Sequence, residues 1–440
     1  MPSRKSSIAV VGGGIAGSCA ASELSKVFET VIVFDQGQCG PGGRSSHRSV
    51  KKSDGTIFPD DDIQVHCAAD TLEFDHGCQF FRADSEEMSD RVLPDWISKD
   101  WVKEWDARLG SISVSDSNKT CDFFGVPCES GKVYIGNGGM HQIPRKILAD
   151  SRATVHRGTR VSSVRKSGEK WELCGTKGKA AYHDTKESDA RQQSEEVLAT
   201  VDAVVFTDIS SASDSWHRAS AGIPDSLRKK LPEKLRLPLF SCMVALSNPV
   251  ADLVPFDGFT VNADSDLWFA ARSQSKPGFP QSGSECWTLI STPSFAVKQI
   301  KETTMRDPNT GAFRPQENSY LNSVPGPALF DAFLAAIKPY LSDSEPPKAI
   351  YLQAQRWGSG LPVPALLVDE EEEILGTRYC SKLKSSLVFG SHEDATDCLA
   401  DDQLRLYYAG DFCSGRNPGF EAAALSGIHV AKQLVESNLE

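Results

Sequence analysis

No stretch of this 440-residue chain approaches the roughly 18 consecutive apolar residues that a membrane-crossing helix needs, so no membrane span is expected. A basic excess is also missing. The 47 Lys and Arg stand against 59 Asp and Glu, for a net charge of −12, which disfavours nonspecific binding to nucleic acid or to anionic lipid. The twelve cysteines come singly, with no C-x-x-C and no Cys/His group at zinc spacing. Cys121 and Cys128, the nearest pair in sequence, fit neither a zinc ribbon nor a redox motif. The expectation is therefore no metal, and reduced, mostly buried thiols of a reducing compartment. Arg4 and Lys5 precede an apolar run as they would in a secretory signal, but the glycines and polar helix that follow argue against one. A cytoplasmic location is expected.

What the chain does have near its start is Ile8 to Gly17, IAVVGGGIAG. Ile8 to Val11 is a short continuous apolar run, suited to a strand buried on both faces of a parallel sheet. Gly12 permits a tight turn, Gly14 lets a pyrophosphate approach the backbone, and Gly17 lets the following helix pack on the strand. That helix, from Ile15 and Ala16 to about Lys26, directs its unpaired N–H groups and the positive end of its dipole at the phosphates. Val31 to Phe34 is a second strand, and Asp35 closes it where an acid can accept from the ribose hydroxyls. Glycine-rich turns are common, but strand, helix, strand and acid together specify a dinucleotide cradle.

The length allows two or three domains. Gly40 to Ser45 is too glycine-rich for helix or strand, and a polar loop is expected from there to about Asp62. Residues 86 to 110 carry Val92, Trp96, Ile97, Trp101, Val102 and Trp105 at helical spacing, which predicts an amphipathic helical region with the tryptophans packed inside. A short helix is predicted over Met140 to Ala149 and one strand over Thr154 to Val164. Lys177 to Glu196 is a solvated hairpin loop or insertion, Val201 to Phe206 a buried strand, and 236 to 250 and 286 to 292 antiparallel strands. The acidic run Asp369 to Glu373 reads as a solvated face. Leu404 to Tyr408 is a strand ending at Gly410-Asp411, and Gly419 to Leu434 a small-residue helix. The chain thus begins and ends with strand, glycine turn and helix. The expected fold class is α/β: a three-layer Rossmann-like domain on a parallel sheet, discontinuous over 1–85, 136–212 and 396–440. An α+β substrate domain on an antiparallel or mixed sheet, 86–135 and 213–395, is inserted into it.

Four separated blocks resemble the flavin-dependent amine oxidase superfamily, and in detail its renalase-like branch. The first is the cradle with Asp35, where the family more often has Glu. The second is Gly42-Gly43-Arg44, similar to the G-G-R motif that marks FAD as resident cofactor; the resemblance implies that Gly43 brings backbone N–H and Arg44 brings charge to the pyrophosphate. Arg48 falls where renalase-like sequences often carry another arginine. The third, Asp75-His76-Gly77-Cys78-Gln79-Phe80-Phe81, is similar to the branch signature D-H-G-A-Q-Y-F. The fourth is Tyr408-Ala409-Gly410-Asp411 with Phe420-Glu421-Ala422. There the resemblance implies that Gly410 and Asp411 hold the ribityl or phosphate end of FAD, and that the helix from Phe420 points at the flavin O2. The family commonly has Gly where Ala422 stands. Val161 sits where the family packs a strand residue near the adenine.

The resemblance implies noncovalent FAD and an oxidase. A hydride would leave a C–H bond next to nitrogen in a small amine or dihydronicotinamide substrate, with molecular oxygen as acceptor. His76 and Gln79 are candidate catalytic residues facing flavin or substrate; His76 beside Asp75 is equally readable as a satisfied structural histidine. Lys276 is a third candidate, because many amine oxidases hold a lysine near flavin N5. An FAD-dependent desaturase or isomerase, and a non-catalytic flavin-bound interaction protein, are the rival readings.

Overall fold

The structure, a computed structural model, describes residues 4–58, 70–113, 122–126, 131–178, 195–261, 265–281, 283–304, 317–341, 345–384 and 397–437. Cys121, Cys128 and most of the 177–196 insertion lie outside them. Strand Arg4–Val11 runs through the middle of a six-stranded sheet, parallel to Phe28–Phe34 on one side and to Ala203–Phe206 on the other. Thr154–His156 extends the first flank and Leu406–Ala409 the second, both parallel, and Cys398–Asp401 closes that edge antiparallel. Ile8, Ala9 and Val10 are fully enclosed because both faces of the sheet are covered. On one face lie the helices Ile15–Ser25 and Phe420–Ser437, which bring Ala20, Leu24, Val430 and Leu434 onto Ile8, Val10 and Val33. On the other lies an antiparallel meander of Thr159–Ser167, Lys170–Lys177 and Glu196–Val201, whose Trp171 and Leu173 cover Ala9 and Phe206. The architecture is therefore the expected three-layer α/β unit with a mixed-sheet partner.

That partner is an eight-stranded sheet, largely antiparallel, in which Lys234–Leu246 pairs along its length with Ala349–Pro364 and with Cys286–Ser291. Leu267–Arg272, Gly258–Val261 and Leu109–Ile112 continue one side, the last pair parallel. Helix Pro325–Ile337 packs Leu329 and Phe333 on Phe259 and Trp287. The acidic run Asp369 to Glu373 lies in strand Val368–Ile374, its side chains mostly exposed and paired with Lys382 and Arg378 on the neighbouring strand. The described cysteines are all free thiols.

Three local expectations are corrected. The polar segment after Ser45 forms strands His47–Lys51 and Ile57–Phe58, which join Thr71–Asp75 in a small sheet; Gly55 at φ +74° makes the reversal. Its alternating polar residues hid it: His47 is buried on Asp75 and Ser49 is buried in the small sheet, while Lys51 stays at the surface beside Asp54. The helical region of 86–110 ends at Ser98, where Asp100 at φ +58° turns the chain into strand Val102–Glu104. Trp96 and Trp105 are buried in the core as expected, but only Trp96 sits in the helix. Thr154 to Val164 is two strands rather than one, broken at Gly158 with φ +58°.

Gly17 shows how tightly the opening unit is built: a Cβ there would lie 1.9 Å from the Gly12 carbonyl oxygen. Gly17→Val forces strand and helix apart. Overpacking of this kind costs about 1–3 kcal/mol, and the expected outcome is a lowered thermal midpoint by calorimetry together with loss of nucleotide binding.

Candidate active site

Both glycine turns, the small sheet and the start of the C-terminal helix meet at one cavity of about 860 Å³. Gly12, Gly14, Ile15 and Ala16 line it. Helix Ile15–Ser25 begins at Gly14 with no side-chain cap, so its first N–H groups are free to receive an anion there. A Cβ on Gly14 would meet nothing closer than Gly43 Cα at 3.8 Å, so the backbone is open on that side. Gly17 stands behind, against the strand. Thr207 clamps the turn, its hydroxyl donating to the Val11 and Gly12 carbonyls at 2.9 and 3.2 Å. Asp35 lines the cavity and accepts from the Gly13 and Gly37 N–H groups, each at 2.8 Å. Burial raises its carboxyl above the ordinary range, against the pull of those two bonds.

Gly43 and Arg44 form the facing wall. The Arg44 guanidinium binds Asp411 through two parallel bonds of 2.6 and 2.7 Å and also reaches the Gly360 carbonyl at 3.0 Å. Asp411 is buried behind this arginine, while its neighbour Gly410 lines the cavity. Val161 lines the cavity at the cradle end. Phe420, Glu421 and Ala422 line it where the C-terminal helix begins. Glu421 is already engaged by the backbone N–H groups of Asp84 and Ser85, both at 2.9 Å, and by the Ser85 hydroxyl. Its carboxylate thus fastens the residues that open the Glu87–Ser98 helical segment. Phe420 stacks on Phe81 at 4.4 Å.

The Asp75 to Phe81 segment forms the inner wall. Asp75 itself is fully buried: Oδ1 accepts from the Met140 N–H at 3.0 Å and lies 3.1 Å from His47 Nδ1, and Oδ2 accepts from Lys276 at 3.0 Å. Burial pushes its carboxyl up, yet Lys276 and His47 more than offset this and hold it well below the usual carboxylate range. Gln79 lines the cavity with its amide fully committed, donating to the Asp75 and Gly77 carbonyls at 2.6 and 2.9 Å and accepting from Lys276 at 3.1 Å. Lys276 does not line the cavity; it is buried behind that wall. His76 lines the cavity, stacked on Trp357 at 5.4 Å, and burial together with Arg48 holds its imidazole well below the ordinary value, in the neutral form.

Several residues here were not singled out from sequence. His47, Asp75 and His141 bring ligand-type atoms within 4.8 Å of one another from three distant segments, which no search for neighbouring Cys and His finds. Lys276 already balances the Asp75 charge, so a divalent ion there would face an ammonium across one carboxylate. Arg145, from helix Gln142–Asp150, holds the glycine loop through the Cys39 and Pro41 carbonyls. His429 bridges Asp397 and Glu87, 2.8 Å from each, and Asp397 also binds Arg416 of the cavity wall. A pattern of polar residues separated by tens or hundreds of positions carries no local signal for any of these.

Lys276→Met strips Asp75 of its counter-charge. Breaking a buried pair costs about 3–5 kcal/mol, expected as a lower urea midpoint, and Lys276→Met combined with Asp75→Asn should recover part of the loss. His429 gives a pH signature. Its hydrogen bond to Asp397, supported by Glu87, raises its folded value above the ordinary 6.5 or so. The bridge therefore stabilises the protein fully below about pH 6.5 and loses that contribution as pH rises through the raised value. The difference in unfolding midpoint between the parent and His429→Gln should be largest at pH 6 and shrink on the alkaline side; a difference that grows with pH would contradict the bridge.

Residues 10–92 match the family model of the NAD(P)-binding Rossmann-like domain. Over the whole chain the structure is similar to that of a putative protoporphyrinogen oxidase from Exiguobacterium sp. 255-15, with a TM-score of 0.54 at 10% identity, covering 100% of both chains. It is also similar to wild-type putrescine oxidase bound to putrescine, with a TM-score of 0.55 at 12% identity, covering 99% of this chain and 100% of the other. The chain therefore carries an NAD(P)-binding-type Rossmann-like unit within the complete fold shared by these two oxidases.

Proposed function

We propose that the protein is an FAD-dependent oxidoreductase of the renalase-like, amine oxidase type. It takes a hydride from a C–H bond next to nitrogen in a small amine or dihydronicotinamide, with molecular oxygen as acceptor and hydrogen peroxide as product. The observation that carries this is the convergence on one cavity of two glycine turns, an uncapped helix N-terminus at Ile15, an acid at Asp35 and a second helix start at Phe420. A dinucleotide with a reactive ring at its far end suits that elongated set of donors. Gly12, Gly14, Ile15, Ala16, Gly43 and Arg44 would hold its phosphates, Asp35 and Val161 its adenosine end, Gly410, with Asp411 behind it on Arg44, its ribityl or phosphate end, and Phe420, Glu421 and Ala422 the end that reacts. When bound, FAD supplies a two-electron acceptor; the protein's part is to place the donor and manage charge. The Phe420 helix start favours negative charge beside it, and Phe80, Phe81, Leu239 and Ile290 give the cavity an apolar wall that keeps water from the reacting bond. Among the catalytic candidates, His76 places a neutral imidazole in the cavity wall, Gln79 shapes that wall with its amide committed to Asp75, Gly77 and Lys276, and Lys276 acts from behind by fixing Gln79.

Noncovalent attachment is supported by Cys413, which is buried off the cavity and whose thiol burial pushes far up, away from a reactive thiolate. A cytoplasmic setting and the discontinuous domain division given above belong to the same proposal.

The purified protein should be yellow or become so with added FAD, and should release free FAD on acid denaturation. Anaerobic mixing with a panel of amines and dihydronicotinamide isomers should bleach the flavin with at least one class, and admitted oxygen should restore it with hydrogen peroxide formed. A chain that takes up no FAD sinks the proposal, and a yellow protein that no panel member reduces favours the desaturase, isomerase or non-catalytic readings. Arg44→Gln removes the positive charge proposed to meet the phosphates, a charge-assisted interaction worth about 1.5–3 kcal/mol, so FAD affinity measured by fluorescence should weaken at least tenfold.

A further inference from the structure

Three arginines in the cavity wall are held by acids. Arg44 is held by Asp411, Arg82 by Asp84 and Arg416 by Asp397. Arg48 differs. It projects from strand His47–Lys51 into the same wall, and among the described residues its partners are neutral: Gln355 Oε1 at 3.3 Å and the Tyr351 hydroxyl. Its Nη1 is buried with no hydrogen-bond partner. The next polar group along the wall, His76, is 6% exposed and its Nδ1 is likewise buried without a partner. His76 cannot turn away to find one, because Trp357 stacks on its ring and donates its indole N–H to the His76 carbonyl at 3.0 Å. Arg48, permanently positive, and His76, able to donate from a neutral ring, thus each carry an unsatisfied nitrogen within the wall of one ligand-sized cavity.

A guanidinium taken from water without a counter-charge is costly to the folded protein, by several kcal/mol in general. An anion supplied by a ligand removes that cost and gains bidentate geometry as well. A cation, such as a protonated diamine, meets repulsion at the same place.

We propose that Arg48 and His76 form an anion subsite for the hydride donor, so that the preferred donor carries a carboxylate or phosphate group beside its oxidisable C–N unit. The inference rests on the oxidoreductase reading for the word donor, but the subsite stands on its own geometry. Arg48 supplies the charge and His76 the additional N–H. Gln355, Tyr351 and Trp357 hold the pair in position. The glycine turns are a separate anion site, committed in the proposed function to the cofactor.

The test compares the parent protein with Arg48→Met and Arg48→Lys, using inorganic phosphate as the probe at constant ionic strength. In FAD-loaded protein, where the cradle is filled, phosphate should perturb the flavin absorbance saturably; the effect should weaken at least tenfold in Arg48→Met and be partly kept in Arg48→Lys. In flavin-free protein the phosphate-induced rise in thermal midpoint should contain a component that Arg48→Met removes, which keeps the subsite testable if the chain proves to bind no FAD. With a dihydronicotinamide donor bearing a phosphate and its counterpart lacking it, Arg48→Met should raise KM for the first at least tenfold more than for the second, and an equal rise for both would overturn the subsite. The proposal is overturned if phosphate has no saturable effect on the loaded parent, if Arg48→Met responds equally, or if Arg48→Met takes up FAD more weakly than the parent, which would assign Arg48 to the cofactor.

Discussion

A carboxylate with no access to water must find its counter-charge and its donors inside the protein, and Asp75 meets that constraint by drawing five segments together. Its side chain binds Lys276, His47 and the Met140 N–H, while its carbonyl accepts from Gln79 and from the Thr288 hydroxyl at 3.0 Å. Those partners come from the small sheet and the chain just after it, the loop before the short helix, the turn at Lys276 and strand Cys286–Ser291 of the eight-stranded sheet. The inner wall of the cavity is built on this hub, since Gln79 has its position from Asp75 and Lys276 and His76 follows Asp75 directly along the chain. Glycine is required beside it: a Cβ on Gly139 would lie within about 3 Å of His141, His47 and Asp75 at once. Gly77 is equally constrained, because a Cβ there would meet the Arg44 carbonyl oxygen at 2.1 Å.

The second constraint is chain closure. Arg44 and Asp411 lie 367 residues apart and meet in a bidentate pair at the edge of the cavity. Gly427, on the last helix, approaches Ala16 on the first so closely that a Cβ would sit 2.1 Å from the Ala16 carbonyl oxygen. The two ends of the chain therefore form one layer, and everything between them is held against it. The anion-directed helix starts and the apolar wall then share one cavity, the wall formed by Leu239 and Ile290 of the eight-stranded sheet together with Phe80 and Phe81.

Much of this was legible locally. The run Ile8 to Gly17 has the period, the glycines and the helix-forming tail of its structure, and Asp35 lies where the second strand ends. The misread elements share a cause. His47–Lys51 looks like loop because His47 and Ser49 are polar yet buried, His47 on Asp75, a partner that no local pattern reveals. The tryptophans of 86–110 keep helical spacing past Ser98, where Asp100 at φ +58° ends the helix for steric reasons that hydrophobic period does not carry. Lys276 is a lysine in a glycine-proline turn by sequence; only packing puts it beneath Gln79 with Asp75 as its partner.

By itself the sequence determined the elements whose cause is local: the buried first strand, the glycine turn, the helix that starts without a cap, and the returning strand and helix at the far end. Periodicity and backbone freedom act over a few residues, so those features are written in them. Tertiary structure alone decided which charges meet. Arg44 with Asp411, Lys276 with Asp75, His429 between Asp397 and Glu87, and Arg48 with no acid among the described residues are outcomes of long-range packing, because ion pairing depends on distance in space and on the water that burial removes, and neither is encoded by spacing along the chain.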